Sequence, residues 1–369
     1  MIKTSILAGL LFLCISCQRN NNSGGTFSGT LKNIEDGTTL ILMDLDSAKI
    51  YSIIQVQDGK FNLNFNLSEP RFFGLAGADQ KHLKNKRMFW LENANIKIKG
   101  NYDNLIKARI TGSESNKVYE VYSSIEKKYK DNQAALNNDK IKNNRNMEDS
   151  SLIRANTQII NQYRTELKEF YSTYCQNMVA FFFLSNEIIK YESPLLKTDF
   201  AQLFPILPEN FRYSIKGDLI KEYISLPETP KVGDRFIDCI QTNYDGSTDS
   251  ISSNLGKYTI LEFWASNCPP CRGEHQELRK LFNLYHDQGL NIIGISGDND
   301  LNDWKDAIKK DSVTWTNISD LRGWNNKAFM IYGIKSIPTL ILLDNNGIII
   351  DNTLRRKYLP EELKKLFNN

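Results

Sequence analysis

"YTILEFWASNCPPCRGEHQELRKLF", residues 258 to 282, sets an apolar run directly before two cysteines spaced two residues apart and an amphipathic run directly after them. The first run has the length and the β-branched and aromatic content of a buried strand. The second carries its apolar residues at helical spacing with charges between them. Cys268 therefore follows a strand, and Cys271 sits one turn into a helix. Pro269 falls at the first helical position, where its missing N–H costs nothing. Helical spacing brings both sulfurs to the helix mouth, within bonding range of each other. The amides and dipole of a helix N-terminus favour a thiolate on Cys268, the form that disulfide exchange needs.

The neighbours of the pair constrain its other uses. Haem attachment takes a histidine immediately after the second cysteine, and position 272 is Arg272. A zinc site needs two further ligands; His275 can add one, but no second cysteine pair exists. His275 and His286 read as surface residues of the helix, and His82, in "DQKHLKNKR", as a surface residue of a charged loop. A peroxidatic cysteine would be preceded by Thr or Ser three residues earlier, where this chain has Ala265. A purely structural disulfide closing so short a loop adds little stability.

Downstream, "LNIIGIS", "PTLILLD" and "GIIIDNT" read as strands, while "LNDWKDAIKK" and "NNKAFMIYG" read as helices. With "ETPKVGDRF" as a leading strand, residues 227–369 form an α/β domain covered on both faces, finishing in a hairpin at Asn345-Asn346-Gly347. Upstream, residues 113–226 read as an α-helical region. Within it "NNDKIKNNRNMEDS" reads as a loop, "MVAFFFLSNEII" as a buried helix, and Cys175 as a buried small residue at the hinge into that helix. Residues 26–112 alternate as short strands, with Phe61, Leu63, Phe65 and Leu67 on one face and Ile96 and Ile98 on another. Turn pairs at Asp36-Gly37 and Asp58-Gly59 complete the picture of an all-β, sandwich-like module.

The chain has 369 residues, too many for one common core, and 46 basic against 43 acidic residues, too balanced for a nucleic-acid surface. Lys3 precedes an apolar run from Ile6 to Ile15 that is too short to span a bilayer and reads as a signal h-region. Residues 1–17 are expected to be a signal peptide ending at a lipobox-like Ser16-Cys17, with Cys17 lipidated and residues 18–25 a flexible tether. Cys14 stands where such boxes usually carry leucine. Removing Cys14 and acylating Cys17 leaves Cys175, Cys239, Cys268 and Cys271, too few for a disulfide framework in so long a chain, although Cys175 and Cys239 could pair.

"ILEFWASNCPPCR" resembles the active-site segment of thioredoxin-fold proteins, and "YGIKSIPTLILLDNNGIII" resembles their cis-proline segment and terminal hairpin. Residues 228 to 369 are most similar to the TlpA/ResA-like thiol-disulfide oxidoreductases of the AhpC/TSA-redoxin superfamily. The β-rich module resembles the region of unassigned function found ahead of such domains in bacterial lipoproteins. The resemblance implies Cys268 as nucleophile and Cys271 as buried resolving thiol. It implies Pro338 as the cis-proline that turns the Ile337 backbone toward a substrate chain, and Glu262 as the buried acid, two residues before Trp264. Burial is expected to raise that carboxyl toward neutrality and let it take the Cys271 proton. Trp264 should pack beneath the pair as core.

Asn267 stands where thioredoxins commonly have tryptophan. Pro269 and Pro270 remove two amide donors near the sulfur, which points toward a reductase. The resemblance further implies a periplasmic, membrane-anchored enzyme acting on protein disulfides, needing no cofactor and re-reduced by a membrane thiol carrier of the DsbD or CcdA type. A binding lipoprotein with a thioredoxin-fold scaffold and a thiol-dependent peroxidase are the rival readings.

Overall fold

The computed structural model describes residues 24–144, 149–191, 193–354 and 358–368. Cys14, Cys17, the apolar run from Ile6 to Ile15 and most of the expected tether lie outside them. The chain divides into two compact units between Val121 and Tyr122.

The first unit contains β1 (Gly25–Lys32), β2 (Thr39–Asp44), β3 (Lys49–Gln55), β4 (Lys60–Phe65), β5 (Arg71–Gly77), the short α1 (Gln80–Leu83), β6 (Arg87–Leu91), β7 (Asn95–Asn101) and β8 (Arg109–Thr111). They form two four-stranded sheets, β4-β1-β7-β8 and β3-β2-β5-β6. Alternation in each strand sends one set of side chains inward: Phe27, Phe61, Ile96 and Ile98 from one sheet meet Leu40, Leu42, Phe73 and Phe89 from the other in a single core. Asp58 and Gly59 both take positive φ, 48° and 67°, as the chain leaves β3 of one sheet for β4 of the other. The sandwich expected from the alternation is present. His82 is less solvated than its charged surroundings predict: its ring stacks on Tyr102 at 4.1 Å, and Nδ1 lies 2.8 Å from Asp79.

The unit boundary falls within α2 (Glu114–Lys142), which is followed by α3 (Ser150–Thr173), α4 (Met178–Glu187), α5 (Lys197–Leu203), α6 (Glu209–Arg212) and α7 (Ile215–Ser225). The expected loop over residues 137–150 is shorter than its polar sequence suggests, because α2 continues to Lys142. Its last turns run beside α3, where Gln133 Nε2 lies 2.9 Å from Asn156 Oδ1 and Leu136 and Leu152 line one hollow. Cys175 is half-buried in the turn before α4, not buried as expected, whereas Val179, Phe181 and Leu184 of α4 are fully covered.

The remainder is a seven-stranded sheet ordered β10-β9-β13-β12-β11-β14-β15. Its strands are β9 (Ile240–Asn243), β10 (Thr248–Ser250), β11 (Tyr258–Trp264), β12 (Leu290–Ser296), β13 (Thr316–Ser319), β14 (Thr339–Asp344) and β15 (Ile349–Leu354). β11 pairs in parallel with β12 and antiparallel with β14, so it lies inside the sheet with both neighbours hydrogen-bonded. The helices are α8 (Pro269–Tyr285), α9 (Leu301–Asp311), α10 (Lys327–Tyr332) and α11 (Leu359–Asn368). Leu278, Leu281 and Phe282 of α8 and Leu363 of α11 pack on Ile260 of β11, while Phe329 and Tyr332 of α10 meet Phe263, the residue facing oppositely.

"ETPKVGDRF" forms no strand; it contributes one isolated bridge, Arg235 to Ile348. A proline and a glycine within it interrupt any regular ladder. Cys239 and Cys175 are free thiols, and burial pushes Cys239 up to about 12, which keeps it protonated and unreactive. Among the described residues no helix is long and apolar enough to cross a membrane.

Candidate functional site

Strand β11 delivers the chain to a loop that is pinned before it reaches the cysteines. Buried Asp298 accepts from the Ser266 N–H at 3.0 Å and from the Ser266 hydroxyl at 2.5 Å, and Ser296 Oγ lies 2.6 Å from the same carboxylate. Cys268 then caps α8 in an extended conformation, φ −101° and ψ 96°. Its sulfur accepts the Cys271 N–H at 3.2 Å. Pro269 and Pro270 occupy the two helical positions before Cys271 and have no N–H to offer, so of these three residues Cys271 alone supplies an amide to that sulfur. Both prolines are exposed.

Cys268 and Cys271 are joined by a disulfide, S–S 2.04 Å with Cα atoms 5.3 Å apart. Cys268 keeps 8% of its surface and Cys271 none, so an incoming sulfur meets Cys268 first. Trp264, Ala265, Trp304 and the half-buried Ile337 pack against the pair in one apolar cluster. The Ile337–Pro338 peptide is cis. Trp264 is completely buried, and its indole N–H donates to Asn317 Oδ1 at 2.9 Å. That contact passes over Gly294, where an added Cβ would come within 2.1 Å of Asn317 Oδ1.

Glu262 is fully buried on the face of β11 that α8 covers. Trp315 donates its indole N–H to Glu262 Oε2 at 3.2 Å. His275 Nε2 lies 3.0 Å from Glu262 Oε1, and His275 Nδ1 lies 2.7 Å from Asp311 Oδ2. Arg272 grips the same aspartate, with Nη2 2.7 Å from Oδ1. Burial opposes charge on His275, but the two carboxylates outweigh it and hold the imidazole above its usual range. Asp311 is likewise desolvated, yet Arg272 and His275 hold it below the usual carboxylate range.

His275 is therefore not the surface residue its polar neighbours imply; 1% of it is exposed. The sequence signal was its register: His275 follows Cys271 by four residues and precedes Leu278 by three, which places it on the buried stripe of α8. Asp311 and Arg272 were not anticipated either. Only the fold brings the end of α9 to the first turn of α8. His286 is exposed, as its position predicts.

The redoxin family model matches residues 231–365, and a domain of unknown function, DUF4369, matches residues 26–119. Thiol-disulfide oxidoreductase ResA of Bacillus cereus is 26% identical over 151 residues, 40% of this chain and 86% of the relative. Tryparedoxin of Trypanosoma brucei brucei is 31% identical over 115 residues, 30% of this chain and 78% of the relative. A solved thiol-disulfide oxidoreductase from Bacteroides fragilis NCTC 9343 is 32% identical, covering 37% of this chain and 99% of that one, with a TM-score of 0.34. A disulfide between two helix-mouth cysteines, set in a redoxin domain with ResA relatives, places the chain in the TlpA/ResA-like family of thiol-disulfide oxidoreductases.

Proposed function

We propose that this chain is an extracytoplasmic reductase of protein disulfides, with the oxidised Cys268–Cys271 pair as the product state of its catalytic half-cycle. The observation that carries the reading is the unequal exposure of two bonded sulfurs at a helix mouth, 8% against none. In the reduced enzyme the Cys268 thiolate attacks one sulfur of a substrate disulfide. That bond breaks, and the departing substrate thiolate takes a proton from solvent. Cys271 then loses its proton to Glu262, and its sulfur attacks Cys268 Sγ. The mixed disulfide breaks and the second substrate thiolate also takes a proton from solvent, leaving the substrate as a dithiol and the enzyme oxidised by two electrons. A membrane dithiol carrier of the DsbD or CcdA type returns them.

Ile337, packed against the cysteine cluster, together with Pro338 and the exposed Pro269 and Pro270, forms the surface that receives the substrate chain, and Trp264 shapes its floor. Residues 1–17 act as a lipoprotein signal, and Cys17 anchors the chain to a membrane on its periplasmic side. Replacing Cys271 with serine tests the reading. Cys271→Ser should accumulate covalent complexes with envelope proteins through Cys268 that dithiothreitol releases, and Cys268→Ser should accumulate none. Trapping by neither variant would leave the domain a scaffold, and equal trapping by both would overturn the assignment of Cys268 as the attacking thiol.

A further inference from the structure

The buried carboxylate of the thiol site is paired. Glu262 Oε1 and His275 Nε2 lie 3.0 Å apart at 0% and 1% exposure, an ion-pair distance without hydrogen-bond alignment, and neither atom has any other polar partner. Without a proton between them, an imidazole lone pair would face a carboxylate in a dry interior, so the two groups share one. On the far side of the ring, Nδ1 meets Asp311, whose side chain is 15% exposed and held by Arg272. Exposure thus rises along Glu262, His275 and Asp311 from the core toward solvent. The ring is fixed edge-on between Trp264 at 4.6 Å and Trp315 at 6.0 Å. Cys271 stands one helical turn before His275 on the same buried stripe of α8.

We propose that His275 is a positioning and proton-relay residue of the exchange reaction, holding Glu262 as the charged acceptor and releasing a proton through Asp311 when Cys271 is deprotonated. The inference rests on the reading that Glu262 takes the Cys271 proton. When the Cys271 S–H bond breaks, its proton goes to Glu262 and the sulfur's electron pair forms the bond to Cys268. Neutral Glu262 no longer stabilises the imidazolium. His275 therefore gives its Nδ1 proton to Asp311, which passes it to water. The Glu262–His275 pair carries no net charge before or after, so Cys271 loses its proton without leaving an uncompensated charge in the interior. Re-reduction of the disulfide runs the same transfers backward.

In the full chain carrying Cys14→Ser, Cys17→Ser and Cys175→Ser, which leaves only buried Cys239 beside the pair, reaction of the reduced protein with 5,5′-dithiobis(2-nitrobenzoate) releases two thionitrobenzoate anions, the first reporting attack by Cys268 and the second resolution by Cys271. In His275→Gln and His275→Met the second release should slow about tenfold or more near neutral pH and change its pH profile, with the first release little altered. Asp311→Asn, which keeps the imidazole, should slow it less. Imidazole 15N shifts should show His275 doubly protonated in the oxidised wild-type chain near pH 7 and singly protonated in Glu262→Gln. If Glu262→Gln slows the second release while both His275 variants keep the wild-type profile, the relay is wrong and the Glu262 reading stands. If Glu262→Gln has no effect, the Glu262 reading fails and the relay with it. A singly protonated His275 in the oxidised wild type overturns the proposal even where a variant fails to fold.

Discussion

Lys335, two residues before Ile337, donates to the backbone carbonyl of Ile188, the residue that closes α4, so the segment lying against the cysteines is tied to the helical region. The lysine is half-buried there, and burial lowers it to about 8 despite the attraction of Glu187. Its folded value lies below the ordinary 10.5, so between those values the unfolded chain binds more protons and the stability contribution rises with pH. Lys335→Met, which removes a desolvated charge, should be neutral or stabilising near pH 7 and lose that advantage above about pH 10. Thermal melts of both proteins across that range check it. An advantage independent of pH would mean that Lys335 is not desolvated.

Gly294 is held small by the Trp264–Asn317 hydrogen bond. Gly294→Ala should displace the indole from beneath the cysteines, costing about 1–3 kcal/mol as overpacking does in a filled core. Chemical denaturation measures the loss, and tryptophan fluorescence should shift with it.

Glu262 and His275 should be coupled energetically. Glu262→Leu leaves a buried imidazole facing no carboxylate on that side, at a cost of about 3–5 kcal/mol. Adding His275→Met to it should restore part of the loss, with an interaction energy of about 1–3 kcal/mol in a double-mutant cycle. The pH dependence has a definite sign. His275 is held above its ordinary 6.5, so its contribution is complete below that value and is lost as pH rises through the raised one. Asp311 is held below its ordinary 3.8, so its contribution is present above that value and is lost as pH falls through the lowered one. The stability gap between wild type and His275→Met should therefore be widest in mildly acid solution and close at both ends.

Ile337 meets the cysteine cluster with a half-buried side chain. Ile337→Asp would set a carboxylate in the proposed docking surface. The KM for a protein disulfide should rise roughly tenfold, about 1.4 kcal/mol of docking energy. Reaction with a small aromatic disulfide should change much less. Equal losses on both substrates would place Ile337 outside the docking surface.

The thiol site was legible where the sequence is locally consistent: strand, cysteine pair, proline-started helix and the "SIPT" segment each carry their own signal. The sandwich was legible for the same reason, since alternation in "KFNLNFNL" and "NIKIKG" states which face is inside. The short strands β9, β10 and β13 were not, because "IQTN", "TDS" and "TNIS" lack an apolar run. Their place is fixed by neighbours, as where Gln241 of β9 donates to Asn326 Oδ1 at 2.8 Å in the interior. α11 went unread because "LPEELKKLF" follows the terminal hairpin with only a few apolar residues, of which Leu359 and Leu363 are buried. His275 was misread because composition outweighed register: glutamate and glutamine flank it, yet its spacing to Cys271 belongs to the core face.

The reduction potential of the Cys268–Cys271 couple, read by alkylation and mass spectrometry in graded thiol–disulfide buffers, bears most directly on the claim that this domain gives electrons to protein disulfides. The account predicts a reversible two-electron couple well below about −180 mV, because two prolines withhold amides that would otherwise stabilise the Cys268 thiolate. A potential at or above that value, or a disulfide that never opens, would contradict it.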